Sequence, residues 1–194
     1  MPNWCYTSVV VDGKRKEVQS LFSKMNNLEN RKKPLVDNSF GKNWLGCLVV
    51  KLGGDWEKIY CRGSWSDLDW NGAILRFNTE TAWGPMTEVF KFIKSVYPSL
   101  EIYWQAEEDG NGVFITNDVE GRYFRDRFRI EFDCDYEYFT TIEGVCDYVS
   151  GITGKELQSK AAMEAAINDW NEATEDDDRK IYFIEYEVLA DEHL

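Results

Sequence analysis

A polar stretch over residues 62–70 holds side chains that could bind a ligand. Trp65 and Trp70 carry aromatic faces on which a base or a sugar could stack, and Arg62 and Asp67 add charges beside them. Because serine, glycine and aspartate are frequent here, we predict a loop, and loops on a rigid sheet are where binding residues concentrate. The alternative is a loop that folds over a sheet edge and buries both indole rings.

Two further groups could recognise charge. Trp83 lies just before Pro85, where we predict the start of a helix whose N–H groups could attract an anion. Glu107 and Glu108, followed by Asp109, could bind a metal ion or act as an acid–base pair. Acidic residues in a tight hairpin are more often turn formers, and the sequence identifies no partner for these.

The sharpest basic feature is the triplet Arg125, Arg127 and Arg129, which could clamp a phosphate or a carboxylate. Glu185 and Glu187 repeat at the same two-residue spacing near the end of the chain. If the two long strands that carry these residues pair antiparallel, opposite charges face each other across the ladder. We favour this structural interpretation over an anion site.

The sequence offers little support for metal or cofactor chemistry. His193 is the single histidine, so a nucleophile that needs an imidazole has one candidate, near the chain end. The five cysteines include no CxxC pair, which argues against a zinc site or a disulfide framework. No dinucleotide, P-loop or HExxH motif occurs. We expect neither metal nor cofactor.

The cysteines are predicted to be small buried hydrophobic residues in a reducing compartment. Cys5, Cys47 and Cys134 lie in apolar, strand-like runs, and Cys146 lies on the apolar stripe of a predicted helix.

One catalytic hypothesis remains. Removal of Met1 would leave Pro2 at the N-terminus ahead of a predicted β-α-β unit, and a secondary amine at that place is the general base of tautomerases. Such a site needs an apolar pocket and a nearby arginine, and the sequence identifies neither.

Hydrophobic spacing predicts the elements that position these residues. They are a strand over 5–11, a helix over 18–25, a hairpin of 44–52 and 56–61, a strand over 73–79, a helix over 85–97, and strands over 100–106 and 113–117. Through residue 106 this is the order of a ferredoxin-like split βαβ arrangement, an antiparallel sheet with helices on one face.

The pattern changes beyond residue 118. Alternation over 123–134 predicts an unusually long strand, two capping boxes predict helices, and residues 181–189 predict a last strand. We therefore predict an α+β protein with a ferredoxin-like domain over 1–117. An acidic β-α-α-β segment over 118–194 would pack on the same sheet or extend it.

Several motifs in the first half occur together in one order. They are Met1-Pro2-Asn3-Trp4-Cys5, Gly63-x-Trp65, Thr81-Ala82-Trp83-x-Pro85 and Glu107-Glu108-x-Gly110. Together they resemble the YubB-like family of plasmid- and phage-borne proteins over residues 1–117. The resemblance implies a ferredoxin-like domain and a mobile-element origin, and it brings no catalytic residues. Gly84 and the polar insert over 26–42 depart from the family pattern.

The net charge of −13 is unevenly distributed. Residues 1–100 hold 14 basic and 10 acidic side chains, whereas residues 101–194 hold 8 and 25. The second half is therefore a poor nucleic-acid binder. Nucleic acid stays open as a partner for a basic patch in the first half, formed by Lys14, Arg15, Lys16, Arg31, Lys32 and Lys33.

No stretch approaches the ~18 apolar residues that cross a bilayer, and the first residues lack the features of a signal peptide. We expect a cytoplasmic protein without a membrane partner, in an oligomeric state that the sequence leaves open.

We predict non-catalytic binding of a host or element-encoded macromolecule, with a protein as the expected partner. The candidate binding residues are Arg62, Trp65, Asp67, Trp70, Trp83, Glu107 and Glu108. Two alternatives stay open. In one, the acidic half mimics nucleic acid and inhibits a host defence enzyme; in the other, Pro2 supports tautomerase-like catalysis.

Overall fold

A computed structural model describes residues 3–190 of the chain, and the protein is α+β. The described residues divide into two compact units. The first comprises residues 3–119 and 188–190, and the second is Glu120–Glu187.

The first unit contains five strands and three helices ahead of its final segment. They are β1 (Trp4–Asp12), α1 (Arg15–Glu29), α2 (Leu45–Lys51), β2 (Gly63–Trp70), β3 (Leu75–Ala82), α3 (Thr87–Val96), β4 (Glu101–Glu108) and β5 (Val113–Thr116). The sheet order is β2-β3-β1-β4-β5, and these neighbours pair antiparallel. The two-residue strand β9 (Glu187–Val188) lies beyond β5.

Alternation along the central strands decides which sheet face is buried. Cys5, Val9 and Val11 of β1 join one core cluster with Ile102 and Trp104 of β4. The buried stripes of α1, α2 and α3 belong to the same cluster, so the helices cover this face.

Three predicted assignments in the first unit are wrong, and one helix begins later than predicted. Residues 45–51 form α2 rather than a strand, and residues 56–61 contain no strand. A short, continuously buried apolar run fits a helix as well as a strand, so its periodicity does not distinguish them. Glycine at position 46 leaves room for the Trp44 ring, which a Cβ there would overlap. Residues 63–70, predicted as a loop, are strand β2, and α3 begins at Thr87 rather than at Pro85.

The second unit has its own sheet and its own core. Its elements are β6 (Phe128–Phe132), β7 (Asp135–Phe139), α4 (Ile142–Thr153), α5 (Lys160–Ala173) and β8 (Tyr182–Glu185). The sheet order is β7-β6-β8, with both pairs antiparallel. Ile130 packs with the inner faces of α4 and α5, including Val149 and Met163.

The predicted long strand over 123–134 is shortened at both ends to β6, Phe128–Phe132, and a turn follows it. Asp133 and Cys134 adopt positive φ values of 55° and 62° and lead into β7. Cys134 is therefore exposed, which contradicts its predicted burial, and Cys47 is buried in a helix rather than in a strand. The predicted last strand is divided into β8 and β9.

The predicted antiparallel pairing of the strand after residue 118 with the last strand is confirmed, as β6 with β8. The predicted alignment of arginines with glutamates across this pair is wrong. Glu185 lies opposite Phe128, and Arg129 lies opposite Ile184. The predicted extension of the first sheet by the C-terminal segment is also wrong apart from β9, since β6, β7 and β8 form a separate sheet.

None of the helices within residues 3–190 combines the length and the apolar character that crossing a membrane requires.

Candidate functional site

One end of the first sheet gathers residues from four strands. Trp4 lies opposite Ala82, and the Ala82 N–H donates to the Arg62 carbonyl at 3.0 Å. The Trp83 N–H donates to the carbonyl of Asn3 at 2.9 Å. The end of β4 lies at the same end of the sheet. Four candidate residues therefore lie along this end, on different strands, namely Arg62, Trp83, Glu107 and Glu108.

An open cleft of about 500 Å³ lies at this end of the sheet. We call it the aromatic–acidic cleft; it is lined by Asn3, Trp4, Tyr6, Glu107, Glu108, Asp109 and Gly110. Tyr6 lies directly opposite Glu107 and is 63% exposed. Trp83, on the neighbouring strand end, is 49% exposed. Among the residues that the structure describes, the lining contains three carboxylates and no basic side chain.

Glu108 holds the turn that closes one side of the cleft. Its side chain is buried, and its two oxygens accept hydrogen bonds from the N–H groups of Gly110 at 2.6 Å and Asn111 at 2.9 Å. Gly110 packs closely on the Asn3 side chain, which a Cβ at this position would displace. Glu108 thus holds the turn in place, and Glu107 and Asp109 are less buried than Glu108.

Cys5 lies beneath the cleft with its thiol protonated at neutral pH. The pKa of Cys5 is raised to about 11, mainly by burial; a hydrogen bond with Thr7 lowers it, and the Glu108 charge adds a smaller increase. The thiolate is the nucleophilic form, so this cysteine is unsuited to covalent catalysis.

Trp65 and Trp70 do not reach the cleft. Trp65 is 2% exposed, and its indole N–H donates to the Glu29 carboxylate at 2.9 Å. The partly buried Trp70 packs on Phe22 with ring centroids 5.2 Å apart. The predicted stacking role is wrong for Trp65, because its ring has no accessible face.

Asp67 marks a bulge in β2, away from the cleft. Its φ is +53°, and the β2–β3 register shifts between Ser66 and Asp69. The Asp67 carboxylate accepts hydrogen bonds from the Asn78 amide at 3.0 Å and the Ser66 hydroxyl at 2.8 Å. These two bonds, the one from Asn78 first, hold the pKa of Asp67 below its ordinary value. The residue stabilises a bulge in this arrangement.

The arginine triplet does not form one exposed face. Arg129 is 2% exposed, and its guanidinium lies over the Tyr136 ring, 4.6 Å from the centroid. Arg125 and Arg127 precede β6. An anion clamp needs all three cations on an accessible surface, and the burial of Arg129 removes one of them.

Within residues 3–190, no group of three or more His, Cys, Asp or Glu side chains could hold a metal ion. Pro2 and His193 lie outside the described residues. The catalytic hypothesis based on Pro2 therefore stays a prediction.

No protein-family model, curated protein or solved structure matches this chain. The resemblance to the YubB-like family stays a prediction.

Sequence reasoning missed Tyr6, the most exposed ring of the cleft. The available signal was the alternation of β1, in which Cys5 and Thr7 point into the core and Tyr6 points away from it.

Proposed function

We propose that the protein is a non-catalytic binding protein whose aromatic–acidic cleft receives a positively charged side chain of a partner macromolecule. The observation that carries this proposal is the juxtaposition of the Trp4 and Tyr6 rings with the carboxylates of Glu107 and Asp109 in one open cleft. An ammonium or guanidinium group is attracted to an aromatic face within ~6 Å and to carboxylates at the rim. Lysine and arginine side chains carry such groups.

The reactive groups near the cleft are better suited to structure than to turnover. Glu108 is occupied by two backbone N–H groups, and burial keeps the Cys5 thiol protonated. General acid–base catalysis needs a group that exchanges a proton with the ligand near neutral pH. These features support binding rather than catalysis.

We also propose that the first unit is a ferredoxin-like domain of mobile-element origin. The strand order β2-β3-β1-β4 supports the fold, with α1 between β1 and β2 and α3 between β3 and β4. The mobile-element origin rests on the motifs that resemble the YubB-like family.

A pull-down from a lysate of the source organism tests the proposed function. Immobilised wild-type protein, Tyr6→Ala and Tyr60→Ala are compared at two salt concentrations. Tyr60 is 48% exposed outside the cleft lining and is the matched control. We expect a partner that wild type and Tyr60→Ala retain and Tyr6→Ala loses. Equal retention by all three, or turnover of a metabolite panel by the purified protein, contradicts the proposal.

Nucleic-acid mimicry is the second candidate function, and the charge of the second unit favours it. Residues 120–187 carry 18 acidic and 8 basic side chains. A mimic that enters a basic channel should bind through long-range attraction, which salt screens over ~8–10 Å. Complex formation should therefore fall steeply with added salt, and a salt-insensitive complex contradicts this candidate.

A further inference from the structure

The positive charge of the chain is concentrated around helix α1. Residues 13–54 hold nine basic and three acidic side chains, whereas the rest of the chain holds 13 and 32. Runs of lysine and arginine lie at both ends of α1, at residues 14–16 and 31–33, and all six residues are exposed. We call the two runs, with the exposed side of α1 between them, the α1 basic face.

The cations of this face have no carboxylate partners. Within residues 3–190, the lysines and arginines of the two runs form no ion pair. Both carboxylates of α1 are hydrogen-bonded inside the first unit. Glu17 accepts from the N–H of Ser99 at 3.1 Å, and Glu29 accepts from the Trp65 indole at 2.9 Å. The positive charge of the two runs is therefore available to a partner.

The first run is the more shielded of the two, because two carboxylates lie beside it. Asp12 accepts a hydrogen bond from the N–H of Gly13 at 2.7 Å. Glu101 lies opposite Asp12 on β4 and forms an ion pair with Lys94 at 3.0 Å. Near the second run, the exposed carboxylate is that of Asp37, in the loop that follows.

Two lysines from other segments add charge near the second run. Lys51, the last residue of α2, donates to the side-chain oxygen of Asn27 at 2.9 Å. Lys42 donates to the carbonyl of Glu29 at 2.5 Å. The C-terminal end of α1 thus gathers five cations from three segments. A helix C-terminus carries only about half a negative charge, so capping of α1 does not account for all five.

The exposed side of α1 between the runs is polar and uncharged. Gln19, Ser23, Asn26 and Asn27 are exposed there, and no large hydrophobic side chain of residues 13–51 is exposed. Protein interfaces and single-strand sites use apolar or aromatic contacts, and membrane-bound helices bury an apolar face. Amides and hydroxyls beside lysine and arginine are typical of contacts to the phosphates and sugars of a duplex.

We propose that the α1 basic face binds the phosphate backbone of a nucleic-acid duplex without reading its sequence. Helix α1 has 15 residues and is about 22 Å long, which corresponds to roughly six base-pair steps. The two runs would contact phosphates at either end, and the amides between them would donate to the backbone. This surface goes beyond the proposed function, because none of its residues lines the aromatic–acidic cleft.

Fluorescence anisotropy with a labelled DNA duplex of about 20 base pairs tests the proposal, since this length exceeds the span of α1. The affinity of the full chain is measured over a series of salt concentrations. Each phosphate contact contributes about 0.9 to the slope of log affinity against log salt. We expect Lys32→Gln/Lys33→Gln to reduce this slope by about 1 to 2. Arg15→Gln/Lys16→Gln should reduce it by about 1, because Asp12 and Glu101 already shield the first run.

The matched control is Lys155→Gln/Lys180→Gln. It removes the same charge from the second unit, where both lysines form ion pairs. This control and the cleft variant Tyr6→Ala should keep the wild-type slope. The substituted residues of the two runs are exposed, so these variants should keep the fold, which circular dichroism checks.

Three results would overturn the proposal. The first is an equal loss of slope in the control, which would mean that net charge alone attracts the duplex. The second is the absence of duplex binding by wild type at low salt. The third is tighter binding of a single-stranded oligonucleotide, of vesicles that contain phosphatidylserine or of an octa-glutamate peptide than of the duplex.

Discussion

Tyr6 and Glu107 lie directly opposite each other on β1 and β4. Opposed residues of an antiparallel pair project from the same face, so an exposed ring and a carboxylate share one surface at the sheet end. Neither residue belongs to the covered face of the sheet, where Cys5 and Ala106 pack in the core. The pairing therefore places both side chains on the face of the sheet opposite to that core.

Removal of Glu108 should destabilise the first unit. Glu108→Ala leaves the N–H groups of Gly110 and Asn111 without their acceptor. We expect a loss of about 1–3 kcal/mol in the free energy of unfolding, measured by urea denaturation. Glu107→Ala is the control because Glu107 is only partly buried. An equal loss in both variants would contradict the structural role of Glu108.

Trp65 and Trp83 should differ strongly in their contribution to stability. Trp65→Ala removes a fully buried ring and should cost about 3–5 kcal/mol of stability. Trp83 is 49% exposed, and Trp83→Ala should change stability by less than about 0.5 kcal/mol. Urea unfolding of both variants measures the difference. Comparable losses would show that Trp83 is a core residue.

The five cysteines should react unequally with a thiol reagent. Burial raises the pKa values of Cys5 and Cys61 to about 11, so both stay protonated and inaccessible in the native protein. Cys134 is the exposed thiol, although the charge of Asp178, followed by that of other acidic neighbours, raises its pKa. Its labelling should accelerate with rising pH, and this increase should extend to higher pH than for an ordinary cysteine, because the thiolate is the reactive form.

Mass spectrometry of the labelled native protein should find one fast site, and Cys134→Ser should remove it. Rapid labelling of Cys5 would contradict its burial beneath the cleft.

The low pKa of Asp67 should depend on Asn78. Asn78→Ala removes the hydrogen bond that contributes most to the lowered value, so the Asp67 pKa should rise toward that of an ordinary aspartate. A carboxyl group whose pKa is lowered by folding stabilises the folded state at pH values above its unfolded-state pKa. This stabilisation is lost as the pH falls through the folded-state pKa. The contribution of Asp67 should therefore fade in acid, below its ordinary pKa.

NMR titration of the side-chain carboxyl groups measures this effect. Asp55 is an internal control, since Lys58 holds its pKa low and Asn78 has no part in that shift. An unchanged Asp67 value in Asn78→Ala would show that the hydrogen bond is not its cause.

Much of the first unit could be predicted because apolar residues recur with clear strand or helix periodicity along its elements. The alternation of β1 and the stripe of α1 each describe one buried face. Helix α2 could not be predicted, since its short apolar run is buried on all sides. The strand β2 was hidden by its bulge at Asp67, which breaks the alternation that identifies strands.

The candidate site was less predictable because it depends on how the strands of the first sheet align with one another. Trp83 and Glu107 were recognised as exposed chemical groups, but their placement at one sheet end follows from long-range pairing of β1 with β3 and β4. The strand β7 was missed for a local reason. A positive φ at Asp133 and at Cys134 turns the chain where residue types suggested a continuous strand.

The central claim is that the aromatic–acidic cleft binds a positively charged side chain. NMR titration with Nα-acetyl-lysine methylamide tests it most directly, with the backbone amide signals of Tyr6 and Gly110 as reporters. We predict saturable shifts at these residues in wild type and in Tyr60→Ala, and their loss in Tyr6→Ala. The neutral analogue Nα-acetyl-norleucine methylamide should cause no such shifts. Equal shifts with the neutral analogue, or unchanged binding by Tyr6→Ala, would contradict the account.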